Sequence, residues 1–148
     1  MEDKRIYEIA LSLIPGVGSV LARNLVAYAG SVEAIFKKSH KELVKIPGIG
    51  EVNARRIKNR EIFERAEKEF KFIEKYKIKS CFYTDPEYPR RFKSCTDAPV
   101  LFYSKGNMNL NEERIVSIVG TRNATDYGKS VCEELIRGFS EKNYRIVV

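Results

Sequence analysis

The sequence predicts an α/β protein in which an all-helical first part, residues 1–77, precedes a second part, residues 78–148, of alternating strands and helices. Apolar residues recur at helical spacing through the first part, and a proline-glycine motif occurs there twice. Directly after it the pattern changes to short β-branched runs separated by turn residues. A chain of 148 residues is long enough for two small domains.

The basic side chains are concentrated in the helical part. The chain has a net charge of +7, and residues 1–80 carry 17 Lys and Arg against 11 Asp and Glu, whereas residues 81–148 carry ten against nine. An uneven basic charge favours a polyanionic partner for the first part. A solvated, charged helical surface is the alternative that composition leaves open.

The cysteines and the histidine indicate neither a metal site nor a disulfide framework. Cys81, Cys95 and Cys132 are widely spaced and odd in number, and His40 is the single histidine. The first residues are charged, and no stretch approaches the ~20 apolar residues of a membrane span. We therefore expect a cytoplasmic protein with reduced thiols, no metal and no cofactor.

A twelve-residue motif occurs twice in the helical part. Residues 14–25 return as residues 46–57, with the same amino acid at seven of the twelve positions. Each copy places a Pro-Gly-x-Gly turn between two helical patterns, and chance is a poor explanation for such similarity. The sequence thus predicts the unit helix, turn, helix, twice over.

Local signals define the ends of the other helices. Gly30 is expected to end the helix after the first turn, and Ser39 with Glu42 predicts a capping box. The charged stretch over residues 51–76 is expected to be helical with a break near Asn59.

This repeated unit resembles the helix-hairpin-helix motif, and two copies resemble the double, SAM-like DNA-binding domain. Glycines allow a phosphate to approach the backbone, and the amides and positive end of the following helix then point at it. Such contacts position a protein on DNA without reading bases. The predicted DNA contacts are the two turns and the arginines that follow them: Gly16, Val17, Gly18, Arg23, Gly48, Ile49, Gly50, Arg55 and Arg56.

Apolar and small residues of the repeat have a second expected role in packing. Val17 and Ile49 are expected to plug the turns into the core, and Ala22 and Ala54 to allow close helix packing. The alternative for both hairpins is that they are tight interhelical turns of a protein-interaction domain.

In the second part we predict strands at residues 79–84, 100–103 and 115–119, then a helix at 127–142 and a parallel strand at 145–148. A strand, a glycine loop, a helix and a parallel strand form the first unit of a Rossmann-like sheet.

The glycine loop of that unit is a second candidate site. Gly120, Thr121 and Arg122 follow a strand, at the edge where open α/β sheets bind ligands. A hydroxyl and a guanidinium can hold a phosphate, so we predict a DNA contact there. The next glycine is Gly128, and neither a dinucleotide fingerprint nor a P-loop is present. A solvated arginine is the alternative.

Motifs of the second part resemble the DNA-processing protein A family, also called DprA or Smf. The resemblance begins near residue 76 and continues to the end of the sequence, and the paired hairpins suit members with a helical N-terminal domain. The motifs, in order, are Tyr88-Pro89-x-x-Phe92, Asp97-Ala98-Pro99-Val100-Leu101-Phe102-Tyr103-x-x-Gly106 and Ile118-Val119-Gly120-Thr121-Arg122-x-Ala124-Thr125-x-Tyr127-Gly128.

The resemblance implies a non-enzymatic protein that binds single-stranded DNA, protects incoming strands during natural transformation and helps to load a RecA-type recombinase. It also implies a homodimer formed through an extended Rossmann domain, and it places Arg122 in the basic pocket that grips the strand. Because the family continues with a Ser-Gly-rich loop and further strands, we expect this chain to be an N-terminal fragment.

Two questions stay open at this point. A nucleotide- or phosphoribosyl-processing Rossmann-like enzyme with a helical protein-interaction domain is the alternative function, although its P-G-G-x-G-T-x-x-E signature is absent from the sequence. Double hairpins usually hold duplex DNA, whereas the ligand of the resembling family is single-stranded. The strand preference of the helical part is therefore undecided.

Overall fold

The computed structural model describes residues 3–106, 109–142 and 144–147. The chain divides into two compact units, residues 1–108 and residues 109–148. Within the described residues, no helix is both long enough and apolar enough to cross a membrane.

Helices make up most of the first unit, and their ends follow the predicted signals. Gly30, with φ +87°, ends the second helix, Ser39 and Glu42 form a capping box, and Asn59 caps the long helix after the predicted break. The helices of this unit are α1 (Lys4–Leu13), α2 (Ser19–Ala29), α3 (Val32–Lys37), α4 (His40–Val44), α5 (Glu51–Ile57), α6 (Arg60–Lys75) and α7 (Arg90–Lys93).

The core of the first unit lies where α1 packs against α2, α3 and α6. Fully buried aliphatic side chains from these helices fill it, and each contributes roughly 1.5–3 kcal/mol of transfer free energy. Ala22 and Ala54 are fully buried, and Val17 and Ile49 belong to the same cluster, which confirms their predicted packing roles.

A short antiparallel sheet also belongs to this unit. Strands β1 (Lys79–Phe82) and β2 (Leu101–Ser104) pair in antiparallel register. Phe82 and Leu101 face each other and enter the core cluster that the helices form. Their burial against the helices places these strands in the first compact unit, which extends to residue 108. The domain boundary near residue 77 stays a prediction.

An ionic cluster ties α1 to the turn after β1. Arg5 lies 2.7 Å from a carboxylate oxygen of Glu8 and donates to Asp85 at 3.0 Å, and Asp85 also accepts the Phe82 amide at 2.8 Å. Glu8 is only 1% exposed, and this burial raises the pKa of its carboxyl group despite the attraction of Arg5. The cluster therefore stabilises the packing of the sheet on the helices at the cost of burying a charge.

The second unit contains a strand-helix-strand arrangement. Strands β3 (Ile115–Ser117) and β4 (Arg145–Val147) are parallel, and α8 (Asp126–Glu141) connects them and packs on β4. This confirms the predicted parallel pair, while a larger Rossmann-like sheet stays a prediction. Strand β3 is shorter than predicted: it ends at Ser117 and not at Val119, which is 92% exposed.

Candidate nucleic-acid interface

The first glycine of each hairpin turn adopts a left-handed backbone conformation. The φ angle is +78° at Gly16 and +84° at Gly48, values at which a side chain is strained. The turns also pack reciprocally, since a Cβ at Gly16 would lie 3.2 Å from Oδ1 of Asn53 and a Cβ at Gly48 would lie 3.0 Å from Cδ1 of Leu21. Leu21 and Asn53 are equivalent in the repeat, so each turn packs on the same position of the other copy.

The apolar residue between the glycines anchors each turn. The amide of Val17 donates to the carbonyl of Ile14 at 3.1 Å, and the amide of Ile49 donates to the carbonyl of Ile46 at 2.9 Å. The side chains of Val17 and Ile49 are buried. Val17 and Ile49, two of the predicted DNA contacts, therefore have side chains that pack in the protein core. The glycines of the two turns are exposed.

The second glycine of each turn leads into a helix that has no side-chain cap. Gly18 is the N-cap of α2 and Gly50 that of α5, with extended φ values of −78° and −82°. Both are exposed, and a Cβ at either would meet no atom within 4 Å. The first amides of a helix have no intrahelical acceptor, and the helix dipole is positive there. The end of α2 thus offers open N–H donors to an anion.

The two helix ends differ in their first residue. Helix α2 begins with Ser19, whereas α5 begins with Glu51, whose carboxylate lies 3.2 Å from Nε2 of His40. A carboxylate at a helix N-terminus interacts with the dipole and repels an incoming anion. The first hairpin is therefore the more favourable position for a phosphate.

Arg23 is held by the protein itself. Its guanidinium donates to the carbonyls of Thr96 and Ala98, both at 2.9 Å, and lies 5.6 Å from the centre of the Tyr83 ring. Burial raises the pKa of the Tyr83 hydroxyl, and the nearby Arg23 opposes that rise. Arg23 ties α2 to the loop before β2, because a planar guanidinium suits two neighbouring carbonyls. Its predicted contact with DNA stays a prediction.

The two arginines of the second copy have different surroundings. Arg56 donates to the carbonyl of Pro15 at 3.1 Å and so joins α5 to the first hairpin. Arg55 is exposed, and its side chain makes no hydrogen bond or ion pair with the residues that the structure describes. Arg55 is thus a predicted contact whose full set of donors faces solvent.

The predicted loop of the second unit is exposed throughout. A Cβ at Gly120 would meet no atom within 4 Å, and the Thr121 hydroxyl donates to the carbonyl of Asn123 at 3.2 Å. Arg122 is exposed and has no partner among the described residues. Directly after this loop, Thr125 caps α8, since its hydroxyl oxygen accepts a hydrogen bond from the Gly128 amide.

The chemistry of the described cysteines and metal-ligating side chains also bears on the candidate interface. The cysteines are free, and burial raises the pKa of Cys81 to about 11, which disfavours its thiolate at neutral pH. Across the described residues, no group of His, Cys, Asp and Glu is arranged to hold a metal ion.

Sequence reasoning missed two features of the first unit. The contact between His40 and Glu51 joins residues eleven positions apart, and no motif marks it. Phe72 and Tyr76 of α6 form an exposed pair with ring centres 4.5 Å apart. The four-residue spacing of these aromatics on a predicted helix is the signal that could have found them.

Two family models match different parts of the chain. The model of the SAM-like helix-hairpin-helix tandem matches residues 8–60, and that of the DNA recombination-mediator protein A matches residues 79–148. No solved structure shows significant similarity to the chain.

Curated relatives match the chain over different lengths. The UvrABC system protein C of Acinetobacter baumannii (strain SDF) is 44% identical over 55 residues, which are 37% of this chain and 9% of that protein. The DNA processing protein DprA of Bacillus subtilis (strain 168) is 42% identical over 62 residues, 41% of this chain and 21% of the relative. Protein Smf of Synechocystis sp. is 28% identical over 153 residues, 98% of this chain and 37% of the relative. The chain thus spans well under half the length of each.

The match to Protein Smf covers the helical and the strand-containing parts together, and the recombination-mediator model begins at the first residue of β1. The helical tandem and the second part therefore occur in one kind of protein. Over its two parts together, this chain is similar to proteins named DprA and Smf.

Proposed function

We propose that this chain binds DNA without sequence preference, by holding backbone phosphates at the first hairpin, and that it acts in DNA uptake and recombination. The observation that carries this proposal is the open N-terminus of α2, where Gly18 leaves space at uncapped helix amides. A phosphate can approach that backbone closely, and the amides and helix dipole stabilise its charge.

The second hairpin supplies the accompanying contacts. It has the same turn conformation at Gly48 and the same open N-cap at Gly50. The carboxylate of Glu51 makes the amides at the start of α5 a weaker anion site, while the exposed guanidinium of Arg55 adds a cation on the same helix. Two hairpins on separate phosphates give an affinity that depends strongly on salt.

The names of the relatives support DNA as the ligand. One relative is called a DNA processing protein, and the model that matches the second part is described as a DNA recombination mediator. The excess of basic over acidic residues in residues 1–80 agrees with a polyanionic ligand.

The loop of Gly120, Thr121 and Arg122 is the second proposed phosphate site, for single-stranded DNA, within a Rossmann-like domain. Its exposed guanidinium and open glycine support this role. In keeping with the family resemblance, the proposed role is cytoplasmic and non-enzymatic. A RecA-type recombinase and a second copy of the chain are the proposed protein partners.

Gly18→Ala tests the first hairpin directly. Because φ at Gly18 is ordinary and a Cβ meets no protein atom, the methyl group obstructs an incoming phosphate and leaves the fold intact. We expect the Kd for a labelled DNA to rise about tenfold, as for the loss of one charge-assisted contact. Gly138→Ala is the matched control, since Gly138 also has open space around it.

The measurement is fluorescence anisotropy with labelled oligo-dT and with a duplex of equal length, at two salt concentrations. Salt-sensitive binding that weakens in Gly18→Ala but not in Gly138→Ala supports the proposal. Unchanged affinity of Gly18→Ala would remove the first hairpin from the interface. Absence of binding to both DNAs at low salt would refute DNA binding by this chain.

A protein-interaction role for the hairpins is the second candidate. The observation in its favour is that Val20 and Val52, equivalent in the repeat and next to the open helix ends, are 55% and 59% exposed. If the hairpins bind DNA, we expect the double variant Val20→Ser with Val52→Ser to keep the DNA affinity of the wild type. In the alternative, this variant loses a protein contact, detectable as a change in self-association by sedimentation.

A further inference from the structure

The second half of α6 exposes two aromatic rings to solvent. Phe72 is 51% and Tyr76 is 44% exposed, and their ring centres lie 4.5 Å apart. Burial of an aromatic side chain is favourable, so an exposed cluster of large apolar groups indicates a contact surface.

A row of lysines borders this aromatic pair. Lys68, Lys71 and Lys75 follow each other at spacings of three and four residues, which places them on one side of the helix. Phe72 and Tyr76 each come one residue later, which places them on the adjacent side. Together these five residues form the α6 patch.

The cations of the α6 patch are available to a ligand. All three lysines are exposed, and none forms an ion pair or hydrogen bond with the described residues. This holds although Glu64 and Glu67 precede Lys68 and Lys71 by four residues. The ammonium group of Lys75 lies 5.3 Å from the centre of the Tyr76 ring, so charge and ring are presented side by side.

Aromatic faces next to a row of cations match the chemistry of a single strand of nucleic acid. Unpaired bases stack on aromatic side chains, while the phosphates follow a basic track. The row from Lys68 to Lys75 is about 10 Å long. A duplex already stacks and pairs its bases, so its bases gain nothing from these rings.

We propose that the α6 patch is a base-stacking site for single-stranded DNA, distinct from the hairpins. The proposal rests on the proposed function in that its ligand is DNA, but it depends on other residues. The patch shares no residue with the hairpin turns, which precede α2 and α5. The hairpins hold phosphates of either strand type, and the patch selects unpaired bases.

The first test is the double variant Phe72→Ala with Tyr76→Ala. Both side chains are exposed, and removing them leaves the buried face of α6 unchanged. We expect the Kd for oligo-dT to rise at least about tenfold, since bases lose their stacking partners, and the Kd for the duplex to change less than about twofold. Tyr28→Ala is the matched control, because Tyr28 is 62% exposed on α2.

The second test uses Phe72→Trp as a reporter. The chain has no tryptophan, so this variant carries a single one inside the patch. Stacking of thymine on the indole quenches its fluorescence, and we expect quenching to saturate over the same oligo-dT concentrations as the anisotropy signal. Tyr28→Trp places the reporter outside the patch and is expected to stay unquenched.

The outcomes separate this inference from the proposed function. Oligo-dT binding that is unaffected by the double variant, but weakened by Gly18→Ala, overturns the α6 patch and leaves hairpin binding in place. Equal weakening for oligo-dT and duplex, or quenching at neither position, also overturns base stacking. Absence of wild-type binding to both DNAs overturns the two proposals together.

Discussion

The two hairpins share a backbone and differ in what their side chains contact. In both, the first glycine is left-handed, the apolar residue closes the turn through its amide, and the second glycine caps a helix. Yet α2 begins with a serine and α5 with a carboxylate that contacts His40. The repeat therefore determines the shape of the two turns, while the residues around each turn determine its suitability for an anion.

Arg23 and Arg55 also differ in their contacts, although they occupy equivalent positions of the repeat. Arg23 lies beside the loop before β2 and bonds to two of its carbonyls, whereas Arg55 meets no such loop and stays in solvent. An arginine in a repeat thus becomes a structural tie or a free cation according to what packs next to it. The predictions below test this division, from the largest expected effect to the smallest.

Alanine at the first glycine of either turn is expected to destabilise the protein. The left-handed conformation alone costs about 1–2 kcal/mol for an L-residue. At Gly16 the new Cβ also displaces Arg56 and crowds Asn53, whereas at Gly48 it presses on Leu21 alone. We expect Gly16→Ala to lower the free energy of unfolding more than Gly48→Ala, as measured by urea unfolding. Equal stability of Gly16→Ala and wild type would contradict the reciprocal packing.

Arg23→Ala and Arg55→Ala are expected to act on different properties. Arg23→Ala removes two charge-assisted hydrogen bonds, each worth about 1.5 kcal/mol, and lowers the free energy of unfolding. Arg55→Ala leaves stability unchanged and reduces the dependence of log K on log salt by about 0.7–0.9. Urea unfolding and anisotropy at several salt concentrations measure the two. A salt slope that falls in Arg23→Ala instead would reverse the assignment.

Exchanging the first residues of the two helices is expected to exchange their preference for phosphate. Ser19→Glu places a carboxylate at the open end of α2, and Glu51→Ser removes the one on α5. A charge at a helix end changes the energy by about 0.3–1 kcal/mol, so we expect DNA affinity to fall and to rise, respectively, about two- to fivefold. Glu133→Ser is the control, since Glu133 is exposed in the interior of α8. Identical affinities would show that neither helix end meets DNA.

The smallest predicted effect concerns the helix that leads into the second hairpin. Hydrogen bonds from the Ser39 side chain and backbone hold the pKa of Glu42 below its usual 4.5. A carboxyl with a lowered folded-state pKa stabilises the fold above its ordinary pKa, and this contribution is lost as the pH falls through the lowered value. We expect the small stability difference between wild type and Glu42→Ala at pH 7 to vanish at acidic pH. A difference that grows below pH 4.5 would contradict the capping box.

Much of the fold was predictable because its signals are local. Gly30, Ser39 with Glu42, and Asn59 end or begin helices through bonds to residues no more than four positions away. The parallel pairing of β3 with β4 was predictable because one helix joins two apolar runs. The attachment of β1 and β2 to the helical unit could not be predicted in this way, because the burial of Phe82 depends on which surface the strands pack against.

The sequence alone determined the paired turns and the helix boundaries at Gly30, Ser39 and Asn59, because each follows from local backbone geometry and neighbouring residues. Only the tertiary structure decided which side chains are free to meet a ligand. Arg23 is bound by carbonyls 73 and 75 residues away, and the Phe72–Tyr76 pair is left about half exposed while Ile62, Ala66 and Ile73 of α6 are buried in the core. The physical reason is that a side chain's availability depends on all elements packed around it, and sequence spacing describes its own element only.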